Sequence, residues 1–153
     1  MFSKQNKSKT PVLLELLEEE KIFIAAITET HLKPCVKNAE FLNQNQNYNV
    51  LRTDRISRVR GGVALITHHS LSTTVLVSHS TQYCEVLTIS IDELQLLITV
   101  IYRPPICPKE QKHFPTILEK VNEVLSNSKF ASYTSVILGD FNFPFIKWTP
   151  TQN

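Results

Sequence analysis

The chain has 153 residues, of which 42% are hydrophobic and 20% charged, a balance that is ordinary for a globular domain and that excludes a disordered protein. The net charge is only +2, so a case for nucleic-acid binding has to come from local charge. The three cysteines have no CxxC spacing and exclude a disulfide framework or a zinc ribbon. The three glycines are too few and too scattered for a dinucleotide fingerprint or a P-loop.

The first part of the chain predicts one helix followed by a buried strand. Residues 1–9 are polar and basic, and we expect a disordered N-terminus there. Thr10 and Pro11 indicate a helix N-cap followed by a proline at the first helical position, and leucines at helical spacing continue to about Lys21. The apolar run 22–27 predicts a strand buried on both faces. It is far shorter than the roughly 20 residues that cross a bilayer.

Further strands, a helix and a last strand follow in chain order. The strands are predicted at 48–52, 62–67, 73–77, 84–92 and 94–102, with a tight hairpin between the last two. A helical pattern runs from about 109 to 126 and is regular from near Pro115. Residues 135–138 predict a second buried strand. We therefore expect one α/β domain over 10–153, a sandwich with helices outside mixed sheets.

Polar residues follow the two strands predicted to be buried, where α/β folds place their chemistry. Glu29 follows the first strand and is a candidate ligand of Mg²⁺, a cation bound through few carboxylates and several waters. Its alternative is a solvated glutamate at a strand end. Asp140 and Asn142 share a face if the backbone there is extended, so they could orient a water and donate to a phosphate oxygen. Their alternative is a Gly-Asp turn that ends the strand.

Arginines supply candidate contacts with phosphate. Tyr102 and Arg103 end a strand together and could offer a hydroxyl and a cation to one phosphate, although a plain turn before the prolines is the simpler interpretation. Segment 52–60 holds four arginines and one aspartate, a local charge of +3 that suits a phosphate backbone. Most charge runs are merely solvated. The candidate DNA-binding residues are Arg55, Arg58, Arg60 and Arg103.

Five motifs in this order give the chain a family resemblance: ITETHL (27–32), YNVLRTDR (48–55), RGGVALI (60–66), VIYRPP (100–105) and VILGDFN (136–142). They resemble the endonuclease/exonuclease/phosphatase superfamily. Within it they look most like the apurinic-type endonuclease domain of non-LTR (LINE-type, jockey-like) retrotransposons. The resemblance runs from about residue 10 to the end. It implies a DNase-like four-layer α/β sandwich with mixed sheets, and a Mg²⁺-dependent phosphodiesterase that nicks target DNA before reverse transcription.

The resemblance also assigns roles by position. Glu29 matches the metal-binding glutamate, with Mn²⁺ as a substitute for Mg²⁺. Tyr102 matches the tyrosine that contacts the scissile phosphate, Asp140 the aspartate that positions or activates the water, and Asn142 the asparagine that stabilises developing charge. The implied partners are DNA and, in a full-length parent, element RNA. No membrane and no small-molecule cofactor is implied, and the expected location is intracellular, nuclear if the domain is functional.

Two parts of the family pattern have no counterpart in this sequence. The family's opening strand with an asparagine metal ligand has no match, and no histidine follows the Ser-Asp pair of the closing signature. We therefore expect an incomplete domain, truncated at both ends, that lacks a general acid–base group worth about 10²–10⁴-fold in rate. One alternative is a catalytically dead remnant that binds DNA or a partner. Another keeps the fold and hydrolyses a phospholipid or inositol phosphate.

Overall fold

The computed structural model describes residues 9–56, 60–105 and 114–143, with the side chains of its last helix described from Ile117. The helices are α1 (Thr10–Glu19), α2 (Asn38–Phe41) and α3 (Phe114–Leu125). The strands are β1 (Ile24–Thr28), β2 (Tyr48–Thr53), β3 (Val63–His68), β4 (Thr74–Ser80), β5 (Glu85–Ile91), β6 (Leu96–Tyr102) and β7 (Thr134–Asp140). Within these ranges, no helix combines the length and the apolar character needed to cross a membrane.

The strands form two sheets. The first has the order β1-β3-β2 and is antiparallel throughout. The second has the order β4-β5-β6-β7 and is mixed, because β7 runs parallel to β6 after the α3 crossover. Parallel strands end at the same edge of a sheet, so Tyr102 at the end of β6 lies in register with Asp140 at the end of β7.

Three hydrophobic clusters hold four layers together. Residues of β3, β5 and β6 fill the space between the sheets, among them Leu65, Leu87 and Val100, none of which is exposed. Leu14 and Leu17 of α1 pack on the outer face of the first sheet. Ile117 and Val121 of α3 pack on the outer face of the second sheet. The predicted four-layer α/β sandwich with a mixed sheet is confirmed.

Two strands predicted to be buried on both faces lie at sheet edges instead. β1 is largely half-buried, and β7 leaves 36% of Val136 and 45% of Ile137 exposed. By contrast, every residue of β5 is buried, since that strand has a neighbour on each side. A continuous apolar run marks a strand, but it does not tell an edge position from a central one.

Two local predictions also differ from the structure. The N-cap of α1 is Lys9 rather than Thr10, and its carbonyl accepts the N–H of Leu13 at 3.1 Å. The turn between β5 and β6 is not a tight two-residue hairpin, because one turn of 3₁₀-helix at Asp92–Leu94 is followed by Gln95 with φ 47°. The longer turn provides the left-handed position without a glycine.

The fold makes Cys84 an inert thiol. Its side chain is fully buried, and burial together with the neighbouring Glu85 raises its pKa to about 12. The thiolate is the reactive form, so at pH 8 we expect Cys84 to react with iodoacetamide at least about 100-fold more slowly than the exposed Cys35. The measurement compares a Cys35→Ser/Cys107→Ser variant with a Cys84→Ser/Cys107→Ser variant, since Cys107 lies outside the described residues. Equal labelling rates in the two would contradict this prediction.

Candidate active site

The candidate site lies where β1, β6 and β7 end. Glu29 follows β1 in the first sheet, and Tyr102 and Asp140 close the two parallel strands of the second. β1 contacts both β6 and β7 across the sandwich. The layer packing therefore brings together three of the four predicted catalytic side chains, from opposite sheets.

A hydrogen bond joins the two sheets at this point. The hydroxyl of Tyr102 donates to Oε1 of Glu29. The tyrosine is only 3% exposed and belongs to the cluster between the sheets, whereas the Glu29 side chain is 48% exposed. The second carboxylate oxygen of Glu29 faces His31, whose Nε2 is 3.8 Å away. The carboxylate is thus held on one side by a buried donor and remains open to solvent on the other.

The loop after β1 is strained. Glu29 has φ 54° and His31 has φ 53°, a left-handed conformation that costs a non-glycine residue about 1–2 kcal/mol. Two backbone hydrogen bonds hold it: the N–H of Thr30 donates to Gly62 O at 3.3 Å and that of His31 to Gly61 O at 2.9 Å. The glycine turn before β3 therefore sets the direction in which Glu29 points. Strain of this kind persists only where the surroundings over-determine it.

The chain turns sharply after Asp140. Asn142 has φ 46°, and its backbone N–H donates to Oδ1 of Asp140 at 3.2 Å. Its side-chain Nδ2 donates to the carbonyl of Arg103 at 2.6 Å, which ties the turn to the end of β6. The extended backbone on which a shared face of Asp140 and Asn142 depended is not present, and the alternative, a turn that ends the strand, is what the structure shows. Phe141 packs against the cluster under α3.

The predicted DNA-binding arginines have different surroundings. Arg55 is 6% exposed and its Nε donates to Oε1 of Glu85 at 2.5 Å. Arg103 is 4% exposed, and its Nη1 donates to the carbonyls of residues 141 and 142. Arg60 is exposed, and Arg58 lies outside the described residues. The buried arginines have roles inside the protein, and DNA contact by any of the four stays a prediction.

Glu85 is a residue of this region that sequence reasoning missed. It is fully buried and accepts from Arg55 and from the N–H of Gly62, the latter at 3.3 Å. Burial raises the pKa of Glu85, and Arg55 partly offsets that rise. The only signal in the sequence is a lone carboxylate opening an otherwise uncharged strand, a position where a solvated glutamate is the default expectation.

Tyr102 is a proton donor at neutral pH. Burial, followed by the hydrogen bond to Glu29, raises the pKa of its hydroxyl to about 12. A phenol that stays protonated can donate to a carboxylate or to a phosphate oxygen.

The raised pKa of Tyr102 predicts a defined loss of stability in alkali. The folded protein holds this proton more tightly than the unfolded chain, whose tyrosines titrate near 10, so stability is lost as the pH rises from 10 towards 12. We expect the wild type to lose roughly 1 kcal/mol more than Tyr102→Phe between pH 9 and pH 11, because above pH 10 the unfolded chain releases a proton that the folded protein still holds. Urea unfolding at both pH values measures it. Parallel losses in the two proteins would contradict the assignment.

The residues at this point fit a magnesium ion. Mg²⁺ is held in proteins by one or two carboxylates and keeps several waters, and the Glu29 carboxylate is an exposed ligand of that kind. Within the described ranges, no group of three or more His, Cys, Asp or Glu side chains gathers at one place. These residues therefore do not form a cage in which protein groups supply every ligand. They suit a magnesium ion that is held by one carboxylate and several waters.

No family model matches the chain, and no curated protein matches it. Solved structures do match. The human Nocturnin catalytic domain with bound sulfate superposes with a TM-score of 0.59 at 14% identity, covering 88% of this chain and 56% of that one. The endonuclease domain of TRAS1, a telomere-specific non-LTR retrotransposon, gives 0.50 at 20% identity, covering 90% and 54%. TDP2 of D. rerio in complex with a single-strand DNA product gives 0.56 at 10% identity, covering 92% and 56%.

These structures define the class of fold. They are members of the endonuclease/exonuclease/phosphatase (DNase-I-like) superfamily, and the chain has the fold of that superfamily. It spans about half the length of the solved chains it matches. Identity this low shows the fold alone, because one fold hosts many activities and substrates.

Proposed function

We propose that the chain is the Mg²⁺-dependent DNA endonuclease domain, or a fragment of it, of a retrotransposon RNA-directed DNA polymerase, and that it hydrolyses a phosphodiester of target DNA in the nucleus. The observation that carries the proposal is the hydrogen bond from Tyr102 to Glu29 across the two sheets, with Asp140 beside the tyrosine in register. A buried phenol, a metal-binding carboxylate and a second carboxylate at one point are the groups that phosphodiester hydrolysis needs.

Each residue has a stated task in this mechanism. Glu29 would hold the metal, which when bound supplies positive charge to a phosphoryl oxygen. Tyr102 keeps its proton and, once substrate is bound, turns this single hydrogen from the Glu29 carboxylate to an oxygen of the scissile phosphate. Asp140 accepts a hydrogen bond from the attacking water and fixes its line of approach. One hydrogen of the Asn142 amide is given to Arg103, and the other is free to meet the charge that develops on the phosphate.

Two observations favour DNA as the substrate. Arg60 is exposed directly before the glycine turn that holds the Glu29 loop, so a cation lies beside the site and suits a phosphate backbone. One protein of this fold was solved with a single-strand DNA product, and another is the endonuclease domain of a non-LTR retrotransposon.

A nicking assay tests the proposal. Supercoiled plasmid is incubated with the full chain and Mg²⁺ or Mn²⁺, and conversion to the open circle is followed with and without EDTA. Nicking that needs the metal and returns when metal is restored supports the proposal. A folded chain that binds DNA with a steep salt dependence but leaves it intact would favour the alternative, a binding module without catalysis.

A further inference from the structure

The ion pair between Arg55 and Glu85 lies beneath the candidate site. Its side chains are 4% and 0% exposed, and Nε of the arginine is 2.5 Å from the carboxylate. Taking two charges out of water is expensive, and a buried pair is often no more stabilising than apolar residues of similar volume. Stability alone is therefore a weak reason for the pair, and its neighbours point to a more specific task.

One side of the pair supports the glycine turn. Oε2 of Glu85 accepts the N–H of Gly62, and a β-carbon at Gly61 would lie 2.8 Å from Nε of Arg55 and 3.0 Å from Oε2 of Glu85. The absence of a side chain at Gly61 thus lets the turn sit directly on the pair. The carbonyls of the same two glycines accept the backbone N–H groups of residues 30 and 31, which set the left-handed loop of Glu29.

The other side of the pair supports the tyrosine. The guanidinium carbon of Arg55 is 5.5 Å from the centre of the Tyr102 ring, within the range of a cation–π contact. The pair therefore supports both partners of the hydrogen bond that joins the sheets. Arg55 contacts the ring of Tyr102 directly, and the pair supports the loop of Glu29 through the glycine turn.

We propose that Arg55 and Glu85 are a positioning pair, which fixes the Tyr102 ring and the Glu29 loop so that hydroxyl and carboxylate meet at the site. The proposal rests on the function proposed above and gives Arg55 a role other than DNA contact. Groups that orient metal ligands commonly cost about 10–100-fold in metal affinity or activity when they are changed.

Kinetics of two variants test the pair. Glu85→Gln keeps the size of the side chain and removes its charge; Arg55→Lys keeps the charge and removes the planar guanidinium. We expect both to lower kcat for plasmid nicking, the first by about 10–100-fold, with KM for DNA within about twofold of wild type. All rates are measured below the thermal transition of each variant. If instead KM rises, DNA binding depends less steeply on salt concentration and kcat is unchanged, Arg55 is a DNA contact and the proposal is overturned.

Thr88→Val is the matched control. It removes a buried hydrogen bond to Thr99, at 3.0 Å, between β5, which also carries Glu85, and β6, away from the site. We expect its kcat to equal that of wild type when each protein is measured at a temperature equally far below its own thermal transition. A loss as large as that of Glu85→Gln would show a generic effect of destabilisation and would overturn the proposal.

A readout without activity separates this proposal from the proposed function. The chain has four tyrosines, and labelling with ¹³C at the ring Cζ gives each one a resonance in the NMR spectrum. The Tyr102 resonance is identified as the one that is missing from the spectrum of Tyr102→Phe. We expect it to move in Arg55→Lys towards its position in Glu29→Ala, where the acceptor is gone. If the wild type nicks no DNA, the proposed function fails, while this shift still supports positioning. An unmoved resonance in a folded Arg55→Lys variant overturns the positioning proposal, whatever the wild type does.

Discussion

The Glu29→Gln variant is expected to nick plasmid about 100- to 1000-fold more slowly than wild type, the usual cost of removing one electrostatic group from a hydrolytic site. Glutamine keeps the length of the side chain, and its carbonyl can still accept the Tyr102 hydroxyl, but it carries no charge to hold a cation. The loss therefore reports metal binding rather than the fold. Initial rates across a Mg²⁺ titration measure it, and we expect the concentration for half-maximal rate to rise as the maximal rate falls.

Glu123→Gln provides the comparison for this variant. Glu123 is exposed on α3, on the outer face of the second sheet, so the same chemical change there should leave the rate as it is. A Glu29→Gln variant with the rate and Mg²⁺ dependence of wild type would remove Glu29 from the mechanism.

The second large effect is expected from Gly139→Ala. Gly139 lies opposite Ile101 in the parallel β6–β7 pair with φ 140°, and a β-carbon there would lie 1.8 Å from the carbonyl oxygen of Ile101. A backbone carbonyl within a sheet cannot move aside, so the strands must separate. We expect the free energy of unfolding to fall by at least about 3 kcal/mol, at the upper end for single substitutions. Nicking should be lost as well, because Asp140 is the next residue.

Urea unfolding measures the stability of Gly139→Ala, with Ser135→Ala as the control. Ser135 is exposed on the same strand, and its substitution is expected to change stability by less than about 0.5 kcal/mol. Wild-type stability in Gly139→Ala would mean that β7 does not pair with β6 as described.

Local signals made part of this molecule predictable. Strands and helices differ in the period of their apolar residues, and Glu29, Tyr102 and Asp140 each stand at the end of an apolar run. The elements and the position of these residues at strand ends could therefore be predicted from the sequence pattern, whereas the four-layer arrangement was implied by the family resemblance. The resemblance to one family added their roles, which stay predictions.

Long-range pairing was not predictable in the same way. The partner of Arg55 is Glu85, thirty residues away, and no local pattern distinguishes that arginine from a solvated one. The edge positions of β1 and β7 likewise depend on which strands become neighbours, and a short apolar run does not contain that information. The backbone after Asp140 could be either extended or a turn from the sequence alone, because the hydrogen bond from Asn142 to the carbonyl of Arg103 that ties the turn down is also long-range.

The hydrogen bond between Tyr102 and Glu29 makes the geometry of the site depend on the relative position of the two sheets. Neither sheet contains the site alone. The two sheets pack on each other through apolar side chains, whose attraction has no directional preference. A slip of about 1 Å between the sheets would break a hydrogen bond of fixed geometry, and a displacement of that size can cost about 100-fold in rate. In such an architecture, a change that loosens the packing between the sheets is expected to abolish activity before it unfolds the chain. The first effect of such a change is an inactive site in a protein that is still compact.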